Sequence, residues 1–150
     1  MGLLDSGIEE PKSKAIRYVV SSVALAAMLA GALWWTLRFT KEKHTVEHFM
    51  NALLAGDTQQ AYQVWHPHPD FTYQDFLGFW GPNGYYSPIK SYRIQDLGLP
   101  PKGGSGVIAI VELSAYAPFP SPEDKVKNAQ THEVQLWVER SDQSLGFPPP

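Results

Sequence analysis

The sequence contains no cysteine. Disulfides, thiol nucleophiles and cysteine-ligated metals are therefore excluded, although the compartment is not fixed by this absence. Charge is also sparse: Asp, Glu, Lys and Arg make up 18% of the chain, and the net charge is only −3. Nucleic acid binding needs a basic footprint, so nucleic acid is not an expected partner. Charge is missing altogether from residues 18–37, YVVSSVALAAMLAGALWWTL. What the chain does have is aromatic rings, 13% of its residues, enough to build a core in the remaining ~110 residues, the size of one domain.

Twenty helical residues rise about 30 Å, the thickness of a bilayer's hydrocarbon layer. Lys12, Lys14 and Arg17 bound the apolar run on one side, and Arg38, Lys41 and Lys43 on the other. The run predicts a transmembrane helix over 18–38, preceded by a short tail (1–17). Ala30-Gly31-Ala32 resembles a signal-peptidase site, but Leu33, Trp34, Trp35 and Leu37 continue the run beyond it, which favours a retained anchor. Tyr18 and the Trp34-Trp35 pair stand near opposite ends, where rings favour the headgroup level. Met1-Gly2 with Ser6 fits the loose myristoylation pattern, a match that chance also explains. Basic residues are balanced across the span, so orientation rests on the short tail, which places the following domain outside the cytoplasm of a cell's inner (plasma) membrane. Ala27 and Gly31 are four apart, as are Ser22, Ala26 and Ala30. Small residues at this spacing let a second membrane helix approach closely, although alanine is common in such helices anyway.

Beyond the span, Val46, Phe49, Met50, Leu53 and Leu54 recur at helical spacing and predict a helix over 42–55. Gly56 stops it, and Asp57 caps the next helix (58–65), with Gln60 at the reciprocal capping-box position. Ala61, Tyr62 and Trp65 form that helix's inner side. A third helix runs over 72–80, capped by Thr72 or Asp70, with Phe76, Phe79 and Trp80 as its apolar members. Strands follow at 89–97, 107–117 and 131–140, the middle one apolar on both faces as a central strand should be. Residues 141–150, SDQSLGFPPP, carry no clear strand signal. Helices followed by antiparallel strands predict an α+β domain over 41–140, with about three helices laid on one face of a curved sheet of at least three strands.

The segments VEHFMNALLAGDTQQAYQVW, DFTYQDFLGFWG and SPIKSYRI, with the Ala55-Gly56-Asp57 turn between the first two helices, resemble the nuclear transport factor 2-like superfamily in its membrane-anchored bacterial envelope form. The resemblance covers about residues 42–140. It implies a curved sheet wrapped round the helices as a cone, a closing strand that the Pro-rich end does not announce, and a sheet face used for dimerisation or partner binding.

Candidate chemistry is thin. His44-Thr45-Val46-Glu47-His48 matches H-x-x-E-H, in which two histidines one turn apart hold zinc and the glutamate acts as base. The pair lies about six residues from the span and lacks a third ligand, so solvated histidines are the simpler reading. His66 and His68 alternate with prolines in what reads as a rigid loop, and His132 reads as a core-edge residue of the third strand. No metal and no cofactor are expected. The resemblance implies, for superfamily enzymes, an acid or histidine inside the cone with a tyrosine donor. Tyr62, Trp65, Tyr92 and Glu112 are the candidate pocket residues here, with Tyr85 or Tyr86 as other donors for Glu112.

The stronger pattern is on strand faces. If Val107, Val111 and Leu113 meet the helices, Ile108, Ile110, Tyr116 and Trp137 face outward among Arg93, Glu112 and Gln135, an apolar centre with a polar rim. The expectation is a non-catalytic single-pass accessory or assembly subunit. Its partner would be a membrane protein complex, or a second copy in a homodimer, met through Ala27 and Gly31 in the span and Ile108, Ile110, Tyr116 and Trp137 on the sheet. The competing expectation is a pocket protein, either a small-ligand binder or an isomerase- or cyclase-like enzyme.

Overall fold

The computed structural model describes residues 10–65 and 69–150, with the side chains of residues 10 and 11 left aside. The chain divides into two compact units, 1–38 and 39–150. The expected tail and His66 and His68 fall on residues outside the described set, the tail in its first nine.

The first unit is one helix, α1 (Glu10–Leu37). It is long and apolar enough to cross a membrane, and its apolar window buries nothing within the chain. Ser21 and Ser22 donate to the Tyr18 carbonyl at 3.0 and 2.7 Å, and Thr36 donates to the Leu33 carbonyl at 3.0 Å. The Ser and Thr hydroxyls of residues 18–37 are thus satisfied by the helix's own backbone, as hydrocarbon surroundings require. The Arg38 guanidinium lies 3.5 Å from the centre of the Trp35 ring, a cation–π contact.

The second unit is an α+β domain with the element order α2 (Thr40–Leu54), α3 (Thr58–Val64), α4 (Tyr73–Trp80), β1 (Ser91–Gly98), β2 (Gly106–Ser114), α5 (Lys125–Asn128), β3 (His132–Glu139) and β4 (Leu145–Gly146). The four strands form an open antiparallel sheet in the order β1-β2-β3-β4. α2 packs on the inner face of β1, β2 and β3. Its apolar stripe sets this: Val46, Phe49 and Met50 are fully buried and meet Ala109, Val111, Leu113, Val134, Leu136 and Val138 in one core. Phe49 sits among rings, 5.4 Å from Trp65, 6.2 Å from Phe76 and 5.1 Å from Trp80 between centroids.

Local signals end the helices. Gly56 takes φ +77°, which favours glycine, and turns the chain out of α2. Asp57 accepts from the Gln60 amide at 3.1 Å. The Gln60 side chain does not complete a capping box; its Nε2 lies 3.3 Å from His48 Nε2. The full box is at α4, where Thr72 and not Asp70 is the cap. Thr72 N and Oγ1 donate to Asp75 Oδ2 at 2.8 and 2.7 Å, and Asp75 N donates back to Thr72 Oγ1. The Thr72 side chain, and then its backbone amide, hold the Asp75 carboxyl below its ordinary value. A depressed carboxyl stabilises the fold at and above the ordinary carboxylate range, and that contribution is lost as pH falls through the folded value. Thr72→Ala is expected to cost about 1 kcal/mol at neutral pH, read by urea melts, and to raise the Asp75 pKa, read by NMR titration.

Four differences from the sequence reading matter. Phe79 is 37% exposed and is not a core member like Phe76 and Trp80. β2 ends at Ser114 and leaves Tyr116 in the following loop. The segment between the second and third expected strands, free of any expected element, contains α5. The chain's end does return to the sheet: Leu145 is buried, pairs with Val138, and begins a two-residue strand. Asp142 Oδ1 accepts from Ser144 N at 2.9 Å, and Gln143 turns the chain at φ +57°. Gln143 Oε1 accepts from Thr45 Oγ1 at 2.9 Å, and Arg140 Nε lies 3.5 Å from the buried Glu42 carboxylate. The β3–β4 turn therefore grips the first turns of α2.

Candidate functional site

The antiparallel register places the outward side chains in rows. Gly98, Ile108, Trp137 and Gly146 form one row, Asp96, Ile110 and Gln135 the next, and Arg93, Glu112 and Glu133 the third. A bulge between Ile94 and Asp96 shifts the β1 alternation by one residue, so that Asp96 faces outward and Leu97 the helix side. Val107, Ala109, Val111 and Leu113 point inward and are buried, while Ile108, Ile110 and Glu112 between them are half-buried. Ile108 and Ile110 are thus adjacent apolar residues on the face away from the core cluster. Arg93 Nε donates to Glu112 Oε2 at 3.0 Å, and its guanidinium also lies 4.7 Å from the Phe119 ring centre. This gives the patch a charged, aromatic border.

The other two expected sheet anchors are committed within the domain. A Cβ on Gly106 would stand 2.2 Å from Trp137 Cε2, and one on Gly104 would stand 2.9 Å from Cη2. The indole therefore lies over Gly106 and against the β1–β2 turn. Trp137 Nε1 and Ser105 Oγ both donate to Glu139 Oε2, at 3.4 and 2.9 Å. These bonds, the Ser105 one first, hold Glu139 below its ordinary value. Tyr116 donates from its hydroxyl to Gln130 Oε1 at 2.8 Å, with Lys127 Nζ 5.4 Å from its ring centre. Ala27 and Gly31 lie one turn apart in α1, and a Cβ on Gly31 would meet nothing within 4 Å.

The four pocket candidates are not brought together. Tyr62 donates to the Phe71 carbonyl at 3.0 Å, and Tyr92 donates to Asn51 Oδ1 at 3.1 Å. Burial, and then the nearby Glu47, push the Tyr92 phenol up. Trp65 is buried in the ring cluster. Glu112 points to the opposite sheet face, where Arg93 holds it, so it forms no acid–donor pair with Tyr62, Tyr85 or Tyr86. The reason is parity: Glu112 alternates with the buried Val111 and Leu113. A surface hollow of about 540 Å³ takes Trp65 and Trp137 into one lining with Phe71 and Leu145, and takes none of the other three. Trp80 Nε1 is the one buried side-chain donor without a hydrogen-bond partner among the described residues.

His44 Nδ1 lies 3.3 Å from Glu47 Oε2, and Lys43 Nζ lies 3.8 Å from Glu47 Oε1. Among the described residues no group of three His, Asp or Glu side chains is arranged to hold a metal. His132 is exposed at the start of β3 and is not a core-edge residue; it lines a hollow of about 470 Å³ with Tyr86, Leu113 and Gln130. A further signal readable in the sequence is the Gly104-Ser105-Gly106 run, which makes room for the Trp137 ring.

Comparison with protein-family models, with curated proteins and with solved structures gives no match for this chain.

Proposed function

We propose that this chain is a single-pass membrane accessory or assembly subunit of the nuclear transport factor 2-like type. It binds a membrane protein complex through α1 and the outer face of its sheet and catalyses no reaction itself. The observation that carries the reading is the placement of Ile108 and Ile110 side by side on the outer face, bordered by the Arg93–Glu112 pair. An apolar centre with a polar, partly ion-paired rim has the anatomy of a binding surface. Rim charges select and orient a partner, while the desolvated centre supplies affinity. α1 supports the membrane part of the reading, with its apolar length, its self-satisfied Ser and Thr hydroxyls and its Ala27–Gly31 stripe. Trp137 and Tyr116 shape the patch and hold its border rather than serve as free anchors.

In this account the domain lies outside the cytoplasm of the inner (plasma) membrane. The absence of cysteine makes the test clean. A Lys102→Cys variant carries its only thiol in the exposed β1–β2 turn. In intact cells it is expected to react with a membrane-impermeant maleimide, and the chain is expected to stay in the membrane pellet after alkaline carbonate. Labelling only after lysis reverses the orientation, and release by carbonate removes the anchor.

A further inference from the structure

β3 is only partly covered by β4. Glu139 N donates to Ser144 O, and Gln143 N donates to Glu139 O, both at 2.9 Å, so the backbone groups of Glu139 face the β4 side. In an antiparallel ladder these directions alternate. The amides and carbonyls of Trp137, Gln135 and Glu133 therefore face the same edge. Trp137 is paired with Gly146, and the next counterpart in that register is residue 148. Residue 148 is a proline, which has no N–H to give, and Phe147 turns its ring among Trp65, Phe79 and Trp80 instead. Among the described residues no backbone group pairs with the edge-facing groups of Gln135 and Glu133. Glu133 also stands directly opposite Glu112 in the outward row. Arg93 serves Glu112, and no ion pair reaches Glu133 among the described residues. Like charges placed opposite each other are unfavourable.

We propose that the open edge of β3, residues 132–136, is a self-association seam in which two copies of this chain join their sheets antiparallel about a two-fold axis at Val134. In that register Glu133 of each copy faces Gln135 of the other. Each such pair exchanges two main-chain hydrogen bonds, and the Gln135 amide donates to the Glu133 carboxylate. An isologous contact must be self-complementary, and the sequence His132-Glu133-Val134-Gln135-Leu136 is so in this register. The neighbouring registers are not. A shift one way sets Glu133 against Glu133. A shift the other way sets Glu133 against Trp137, whose edge β4 already holds. The seam uses main chain at the edge and leaves the side chains of Ile108 and Ile110 uncovered, so it stands or falls separately from the partner-binding reading.

The full chain, free of native cysteine, allows a register-specific test. Two differently tagged copies, one Glu133→Cys and one Gln135→Cys, are co-expressed and mildly oxidised in the membrane. Both positions are exposed, so the fold is kept. Facing residues of a hydrogen-bonded pair have Cα atoms about 5.5 Å apart, within disulfide reach. Like residues in this register are about 9 Å apart and out of reach. Disulfides are expected between unlike copies, with at least tenfold less between like copies. Gln135→Pro removes an edge-facing amide without touching the β2 ladder. It is expected to halve the protein mass seen by light scattering in mild detergent, with unchanged circular dichroism. No disulfide between unlike copies, comparable linking of like copies, or a wild-type chain that runs as a monomer would overturn the seam.

Discussion

Phe49→Ala is expected to destabilise the domain by about 3–5 kcal/mol, measured by urea or thermal unfolding of the full chain in detergent. Phe49 is fully buried at the point where α2, α3 and α4 meet. Its ring touches Trp65 of the α3 end and, in edge-to-face geometry, Phe76 and Trp80 of α4. Truncation therefore removes the transfer free energy of a phenyl group, leaves a cavity, and breaks ring contacts on three sides. The rings around it are themselves anchored, Trp80 on Tyr86 at 4.6 Å and Trp65 on Phe147 at 4.9 Å, so collapse into the void is restricted. Phe79→Ala, at a ring that is 37% exposed, is expected to cost less than half as much. Equal losses at the two positions would contradict the described core.

Gly106→Ala is expected to cost about 2–3 kcal/mol, the upper part of the range for forcing extra volume into a packed site. A methyl group there would overlap Cε2, Nε1 and Cζ2 of Trp137 at 2.2–2.5 Å. The indole cannot yield outward freely, because the turn at Gly104 closes on its far edge and Glu139 accepts from its Nε1. The clash is with one side chain, so it is removable. In a Trp137→Ala background the same Gly106→Ala change is expected to cost under 1 kcal/mol, and a double-mutant cycle measures the difference. An equal cost in both backgrounds would mean that the glycine serves the backbone and not the ring.

Much of the architecture was legible because periodicity and turn chemistry agree. The α2 stripe, Gly56, the Asp57 and Thr72 caps and the alternation of β2 each report a strong local preference. β4 was not legible: two strand residues between a turn and a proline leave no periodic pattern, and Leu145 is held by tertiary packing alone. α5 is a single turn capped by Asp124, too short to show a stripe. On the candidate surface, parity placed Ile108, Ile110 and Trp137 on one face. Parity does not reveal that two glycines across the register turn Trp137 into a structural ring, nor where β2 ends before Tyr116. The direction of Glu112 stayed open in the sequence because β2 is apolar on both faces. The burial of Val111 and Leu113 on either side of it, with Arg93 opposite, resolves it.

The partner-binding face is tested most directly by site-specific photo-crosslinking in the native membrane. A photoreactive amino acid replaces Ile110 in one chain and the exposed Gln60, on α3, in another. The Ile110 chain is expected to crosslink to one heterologous membrane-complex subunit, at least tenfold more strongly than from position 60, and to lose that crosslink when Ile108→Glu is added. Equal crosslinking from both positions, or none from Ile110 in membranes where the chain is stably inserted, would contradict it.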